Sequence, residues 1–263
     1  MKRRLRTLGR VFLGVLYPSR CIACRGFIPY PSALAREVED PLDHRTAEPH
    51  WFCGACLERL PSLIPPFCRT CSKPAVSFLD QSAQAAPQDC PLCLQCAPPY
   101  ERAIAVYEYG GAAKEAVHRL KFRGDRSVAK GVGALLARRV RAVSGSDVSG
   151  TLVAAIPPDP GRTGGLDHSA LIAAQLCARL GMEPPVCALR RVRSAPLQRE
   201  LSRAERMTNL SGVFEADSAL VGERSVLLVD DVMTTGATVS EASKALLDGG
   251  AERVVVAVFC RTI

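Results

Sequence analysis

The sequence has no apolar run long enough to cross a membrane. Spanning a bilayer takes roughly 20 consecutive apolar residues, and no stretch of these 263 residues approaches that length. The N-terminal lead, residues 1–20, has a basic start and the apolar run VFLGVLY at 11–17. No small-residue cleavage site follows that run, as a secretory signal would require. We therefore predict a cytoplasmic protein with no stable membrane insertion, whose lead is a short basic amphipathic helix.

The chain also lacks the G-x-x-x-x-G-K-[ST] sequence of P-loop proteins, which disfavours a P-loop NTPase. Acidic residues are locally scarce within a formal net charge of +8. Residues 1–25 carry seven Lys or Arg and no acid, and residues 121–143 carry seven against one Asp. Each cluster is either a solvated basic face or a surface for a polyanionic partner, such as a nucleotide, nucleic acid or anionic lipid.

Cysteine, by contrast, is abundant, with nine of the twelve cysteines in the first 100 residues. Two residues between cysteines let both thiolates face one ion, and two such pairs complete a tetrahedral Cys₄ site. The spacing therefore predicts two structural zinc sites in a cysteine module over residues 21–100. The four C-x-x-C pairs that supply the predicted ligands are Cys21/Cys24, Cys53/Cys56, Cys68/Cys71 and Cys90/Cys93.

Some assignments around the cysteine pairs stay open. Cys96 makes an overlapping C-x-x-C with Cys93, and His44 and His50 are spare candidate ligands. A disulfide framework is the alternative to zinc, but it requires an oxidising compartment, and no export signal supports one. Three further cysteines stand in apolar stretches and are expected to be buried: Cys177, Cys187 and Cys260.

From residue 101 to 263, strand-like and helix-like segments alternate. Apolar runs predict strands at 103–109, 152–156, 226–229 and 253–259. Apolar residues at helical spacing predict helices at 112–122, 128–143, 168–180 and 239–247. This alternation predicts an α/β fold with a parallel sheet flanked by helices. Ligands of such sheets bind at the carboxyl ends of the strands.

One stretch, VLLVDDVMTTGATVSE at 226–241, has the features of a phosphate site. Its apolar start predicts a buried strand that ends just before Asp230 and Asp231, and a helix begins after a small polar run. Unpaired N–H groups and the helix dipole attract a phosphate at such a point. Gly236 lets the backbone come close to the anion. The two acids can accept hydrogen bonds from sugar hydroxyls or face a Mg²⁺ ion on a polyphosphate.

The segment VLLVDDVMTTGAT resembles the phosphoribosyl-pyrophosphate (PRPP) motif of type I phosphoribosyltransferases. Other segments narrow the likeness: the cysteine pairs, YEYGGAAKEAVHRLKFRGD at 107–125, GLDHSALIA at 165–173, the spaced series from Gln198 to Phe214, and the ending CRT at 260–262. From about Pro18 onward the chain resembles the ComF family. That family pairs an N-terminal zinc-binding module, here 21–100, with a type I phosphoribosyltransferase-like domain, here 101–263, and is associated with competence for DNA uptake.

The resemblance implies roles for individual residues. Asp230 and Asp231 would be the catalytic acids, binding the ribose hydroxyls of Mg–PRPP. The 5-phosphate would lie in a cradle of five residues: Thr234, Thr235, Gly236, Ala237 and Thr238. Residues 157–167 would form the pyrophosphate loop, with Arg162 as its cation, and residues 198–209 a lid. The loop departs from the family pattern at Gly164, where an Arg usually stands, which leaves it one cation short.

Two hypotheses of different classes follow. In the first, the protein is a phosphoribosyltransferase that uses Mg–PRPP and an acceptor that the sequence does not name. In the second, it is a non-catalytic accessory factor of DNA uptake that binds single-stranded DNA, works with a competence helicase and keeps only a nucleotide or phosphate pocket. The basic residues at 190–206 fit both hypotheses, because they can close over a diphosphate or follow a single-stranded backbone.

Overall fold

The computed structural model describes residues 19–28, 51–63, 65–74, 89–144, 150–159, 166–193 and 212–263. The helices in these ranges are α1 (Gly54–Leu57), α2 (Pro91–Gln95), α3 (Gly111–Arg123), α4 (Arg126–Ser144), α5 (His168–Leu180), α6 (Ser218–Val221) and α7 (Ala237–Asp248). The strands are β1 (Arg102–Glu108), β2 (Leu152–Ala155), β3 (Leu189–Arg191), β4 (Phe214–Ala216), β5 (Ser225–Met233) and β6 (Arg253–Arg261). No helix among the described residues is both long and apolar enough to span a bilayer.

Four strands form a sheet in the order β1-β6-β5-β2, and every neighbouring pair is parallel. Helices cover it, as the alternating sequence pattern predicts, so the predicted fold class is confirmed. One boundary was wrong. β5 continues to Met233, which pairs with Arg261 of β6, so Asp230 and Asp231 lie inside the strand rather than after it. Backbone pairing with β6 extends the strand past the point where its apolar run ends.

Each face of the sheet has its own buried core. The first core lies against α3, α4 and α5 and includes Leu227, Val229 and the buried cysteines Cys21 and Cys56. The second core includes residues of α7 and four buried cysteines: Cys68, Cys71, Cys90 and Cys93. β5 contributes to both cores because successive side chains of a strand point to opposite faces. The strand therefore holds its carboxyl end rigidly between two packed layers.

The cysteine module covers the β1 edge of the sheet. Ser62 forms an antiparallel bridge with Tyr107, and the N–H of Ala103 donates to the carbonyl of Thr70 over 2.7 Å. Tyr107 is buried and meets the rings of Phe52 and Phe259 edge-on, with centroids 6.2 and 5.5 Å away. These contacts satisfy backbone groups that an open edge strand would expose, and they join the module to the sheet.

A short hairpin, β3 and β4, flanks residues 194–211. The lid expected at 198–209 lies outside the described residues, as does all of the lead except its last two residues. Cys177 and Cys260 are buried as predicted, but Cys187 is exposed, contrary to prediction. Its neighbour Ala188 is buried instead, because alternate side chains of an extended segment face opposite ways. The apolar sequence around Cys187 does not reveal which way it points.

Candidate functional site

The loop between β5 and α7 has the geometry of an anion site. Gly236, at the N-cap of α7, is left-handed with φ of 85°, and no side chain caps the helix. Its carbonyl accepts the first helical hydrogen bond, from the N–H of Ser240 at 2.9 Å. The N–H of Ala237 meets only the Thr235 hydroxyl, at 3.4 Å. The open N–H groups and the dipole of a twelve-residue helix can therefore hold a phosphate here.

The two acids of β5 lie just before this loop and have different partners. Oδ1 of Asp230 accepts from the Ser169 hydroxyl at 3.0 Å and from the N–H of Asp231 at 2.9 Å. Asp231 is only 4 % exposed. Burial and the neighbouring charge of Asp231 raise the pKa of Asp230 to about 7. The site therefore binds a proton near neutral pH, and a cation arriving at the acids would displace it.

A cation that pairs with the acids comes from α3. Nζ of Lys121 lies 2.8 Å from Oδ1 of Asp231. Burial of the amine is outweighed by the charge and hydrogen bond of Asp231, so the pKa of Lys121 is raised. The Lys121 side chain is one-third exposed, whereas that of Asp231 is buried. Lys121 thus stays charged and can reach an anionic ligand beside the acids.

The start of α5 adds a neutral polar group. The side chain of Asp167 caps α5 by accepting from the N–H of Ala170 at 2.8 Å. His168, the first residue of the helix, is 5 % exposed. Burial lowers its pKa, although the nearby charge of Asp231 opposes this. Its Nε2 has no hydrogen-bond partner among the described residues, and the lowered pKa disfavours the charged imidazolium.

The cysteines form two groups of four, Cys21/Cys24/Cys53/Cys56 and Cys68/Cys71/Cys90/Cys93, with all sulfurs of a group within 4.8 Å of one another. Four 2.3 Å bonds from a tetrahedral zinc ion place its sulfurs roughly 3.8 Å apart. The measured S···S distances of 3.6 Å for Cys24–Cys53 and 3.7 Å for Cys71–Cys90 match this value. They are far beyond a disulfide bond of about 2.05 Å. Each group can hold a structural metal ion, and zinc fits both.

Backbone N–H groups donate to the sulfurs, as they do around bound metals. Sγ of Cys68 accepts from the N–H groups of Cys71 and Cys90 at 3.4 and 3.3 Å. Burial raises the pKa of the Cys93 thiol to about 12, helped by its hydrogen bond with Cys90. Four thiolates at this depth therefore need a bound cation. Cys96 is exposed and belongs to neither group.

The structure brings most of the predicted residues to these places. The acids and the five predicted phosphate-binding residues follow one another along β5, the loop and the start of α7. Four other predicted or noted residues lie outside the described parts of the chain: Arg162, Gly164, His44 and His50.

Known proteins similar to this chain include the DNA utilization protein YhgH of Salmonella typhimurium. It is 32% identical over 221 residues, which cover 81% of this chain and 92% of that protein. Competence protein F of Haemophilus influenzae is 28% identical over 251 residues, covering 90% of this chain and 94% of that protein. The chain belongs to the ComF family. The likeness spans the cysteine module as well as the sheet, as the sequence resemblance predicted.

Within this ComF-family chain, residues 163–263 match the model of the phosphoribosyl transferase domain. That range contains β5, its acids and the phosphate loop. A solved structure, the B. subtilis glutamine phosphoribosylpyrophosphate amidotransferase complexed with ADP and GMP, aligns with 50% of this chain and 26% of its own at 23% identity. The TM-score of 0.34 is too low to support a functional inference.

Sequence reasoning did not assign three side chains that the structure places around the site of this ComF-family protein. Lys121 pairs with Asp231, Ser169 donates to Asp230, and Arg261 donates to the loop carbonyl of Thr234. Each of the three stands in a segment that carries the family resemblance: LKFRGD, GLDHSALIA and CRT. The signal was present as sequence, but only the fold shows which of these residues reach the acids.

Proposed function

We propose that the protein binds Mg–PRPP, or a related phosphoribosyl ligand, at the carboxyl end of β5. One observation carries the proposal: two adjacent acids, the half-buried Asp230 and the buried Asp231, are followed within one strand–loop–helix unit by an uncapped helix N-terminus. The spacing matches a sugar followed by its phosphate. The 5-phosphate would bind the N–H groups of the loop and α7, and the ribose hydroxyls would donate to Asp230 and Asp231.

Mg²⁺ suits the same position, because carboxylate oxygens and phosphates are its preferred ligands. The phosphoribosyl ligand would bring the metal with it, and a bound cation would displace the proton that Asp230 holds near neutral pH. Lys121 supplies a positive charge beside the acids, next to the position expected for the pyrophosphate. Together with Arg162, it would offset the cation that the Gly164 loop lacks.

With an acceptor present, we propose a phosphoribosyl transfer. The bond from the ribose C1′ to the pyrophosphate oxygen breaks, a bond from C1′ to the acceptor nucleophile forms, and the acceptor gives up its proton. Mg²⁺ and the cations of the site would stabilise the leaving pyrophosphate, and residues 198–209 would form a lid that excludes water.

Ligand binding is the direct test. Millimolar Mg–PRPP is expected to raise the melting temperature, because a ligand that binds only the folded state stabilises it. Calorimetry at pH 6, 7 and 8 should show affinity rising with pH, since Asp230 with its pKa of about 7 must lose a proton to accept the cation. No thermal shift at millimolar Mg–PRPP would overturn the proposal.

The variant Asp230→Asn separates the pH dependence that comes from Asp230 from the pH dependence that comes from the ligand. Mg–PRPP has its own pH dependence, which this variant shares with the wild type. The variant should bind weakly, and its affinity should change less between pH 6 and pH 8. Equal pH slopes in the two proteins would show that Asp230 does not contact the ligand. Pyrophosphate release, screened with nucleobases and with single-stranded DNA, would then distinguish a transferase from a protein that only binds.

A second candidate function, binding of single-stranded DNA, is favoured by a cleft beside α3. The cleft has a volume of about 880 Å³, and its lining includes Lys114, His118, Phe122 and Arg123. Phe122 is 72 % exposed, and the His118 ring lies 5.1 Å from it. In the described part of the chain, neither Lys114 nor Arg123 pairs with an acid. Exposed aromatics among cations are what single-stranded nucleic acid binds, and the Salmonella relative is named a DNA utilization protein.

This second function predicts steeply salt-dependent binding of a fluorescent oligothymidylate, since Lys and Arg side chains that contact its phosphates release the counterions condensed on the oligonucleotide. Phe122→Ala should weaken binding by roughly 5- to 100-fold at fixed salt, the worth of one stacked base. Leu94→Ala is a matched control, because it truncates another side chain that is 71 % exposed but does not line the cleft. Affinity that is insensitive to salt, or equal in both variants, would rule this candidate out.

A further inference from the structure

A buried arginine fastens the start of the phosphate loop. Arg261, near the end of β6, is 4 % exposed. Its Nη1 donates to the carbonyl of Thr234 at 2.7 Å and to that of Met233 at 3.3 Å. The N–H of Thr262, the residue after β6, also donates to the Met233 carbonyl, at 3.0 Å. These bonds fix the backbone at the point where β5 turns into the loop.

The positive charge of Arg261 has no carboxylate partner in the described parts of the chain, and its Nε makes no hydrogen bond there. A buried charge without compensation is strongly unfavourable. The charge of Arg261 acts on Cys71, a member of the second cysteine group. A hydrogen bond from Cys68 and the charge of Arg261 both lower the pKa of the Cys71 thiol. Four thiolates on one divalent ion carry a net charge of −2, which would supply the missing counter-charge.

A second contact links the same cysteine group to the loop. Tyr100 follows Cys93 by seven residues and is 4 % exposed. Its hydroxyl lies 3.7 Å from the position that a Cβ would occupy on Gly236, whose own φ is +85°. Tyr100 and Met233 share the second core with all four cysteines of the group. The loop is thus packed directly against the segment that leaves the second cysteine group.

The second cysteine group is itself tied to the sheet. The hydroxyl of Ser72 donates to the carbonyl of Ala103 at 2.5 Å, and the Ala103 N–H donates to the Thr70 carbonyl at 2.7 Å. The first group lies in the other core instead, against α3 and α4. Ile22 beside it packs on Gly131 of α4, where an added Cβ would lie 3.0 Å from the isoleucine. Within the described ranges, it is the second group that shares its core with Tyr100 and Met233 beside the phosphate loop.

We propose that the second cysteine group, when it holds its metal, positions the phosphate loop through Arg261 and Tyr100, so that metal retention at this group and phosphate affinity are coupled. The proposal rests on the proposed function in that the loop binds a phosphate. Arg261 is a positioning residue, since it contacts the loop carbonyls rather than the ligand. Coupling of two binding events is reciprocal, so bound phosphate must also raise the metal affinity of this group, and we expect the tighter binding to appear as slower loss of its metal.

Hydrogen exchange of the ligand-free protein tests the positioning role without any ligand. In Arg261→Gln, the hydrogen-bonded amides of Ser240 and Thr262, which donate to the carbonyls of Gly236 and Met233, should exchange at least about 10-fold faster than in the wild type, because the loop loses a charged anchor. Arg261→Lys should restore much of the protection, since it keeps the charge. Arg253→Gln, a change of an exposed arginine on the same strand, is the control and should leave these amides unchanged. If Arg261→Gln does not fold, Tyr100→Leu tests the second contact in the same way.

Metal release tests the coupling. Zinc release from the protein, followed with a chromophoric chelator, should show two phases, one for each cysteine group. Cys24→Ser removes a ligand of the first group only, so the phase that it changes belongs to that group. Saturating ribose 5-phosphate should slow the second-group phase several-fold and leave the other unchanged. The inference is overturned if ribose 5-phosphate binds by calorimetry but leaves the rate of zinc release unchanged. It is also overturned if hydrogen exchange is unchanged in both Arg261→Gln and Tyr100→Leu. Absence of ribose 5-phosphate binding would instead count against the proposed function, and the exchange measurement would still decide the positioning role.

Discussion

Replacing Asp231 by Asn is expected to weaken Mg–PRPP binding by roughly 30- to 1,000-fold and to abolish the thermal shift. The carboxylate would accept a ribose hydroxyl and face the cation, and a hydrogen bond to a charged group contributes roughly 1.5–3 kcal/mol. The substitution also leaves Lys121, now 2.8 Å from Asp231, without its acid. Together these losses amount to roughly 2–4 kcal/mol of binding free energy, which is the stated range of affinity. Calorimetry with Mg–PRPP measures it.

The matched control is Asp248→Asn, which makes the same change of charge at an exposed acid of α7 that pairs with Lys244. It should bind like the wild type. Combining Asp231→Asn with Lys121→Gln tests whether the two side chains act together, because the double variant should then lose less than the sum of the single losses. Wild-type affinity in Asp231→Asn would place the ligand elsewhere and contradict the assignment of the acids.

Much of this site was predictable because its elements are local in sequence. An apolar run, two acids and a small polar loop are contiguous in VLLVDDVMTTGAT, so strand, turn and helix start could be placed without knowing the fold. The exact end of β5 could not, because it depends on pairing with β6 up to Arg261. The positive charge that faces Asp231 could not be predicted from the sequence either. Lys121 is 110 positions away, and only the packing of α3 over the sheet brings it within 2.8 Å.

The cysteine groups, too, were predictable where the signal is local in sequence and not where it depends on the fold. Pairs spaced by two residues define their own knuckles, so the correct partition into two groups of four followed from sequence order. The sequence predicted Cys90 and Cys93 but left Cys96 open, and the fold excludes Cys96, since α2 turns Cys93 inward and ends before the exposed Cys96. What spacing cannot express is that one group lies in each core of the sheet. The module is therefore part of the fold's interior rather than an appendage.

Removing zinc is expected to unfold the cysteine module and to lower the melting temperature by more than about 10 °C. Structural zinc sites supply folding free energy on the order of 10 kcal/mol, comparable to the stability of a whole domain. Cys56, a member of the first group, is 1 % exposed, and Phe52 near it is 2 % exposed; both belong to the first core. Their loss would open the packing around Tyr107 and destabilise the sheet as well. At roughly 2–4 °C per kcal/mol for a chain of this size, a net loss of about 4 kcal/mol suffices.

Circular dichroism and metal analysis during chelator treatment under reducing conditions measure this effect. Cys56→Ser should reproduce it in part, because it removes a buried ligand of one group. Cys96→Ser is the matched control: it deletes an exposed thiol outside both groups and should leave the zinc content and melting temperature unchanged. Protein that contains no zinc yet melts like the untreated sample would contradict a structural role. If both variants lost stability equally, thiol burial rather than metal binding would be the cause.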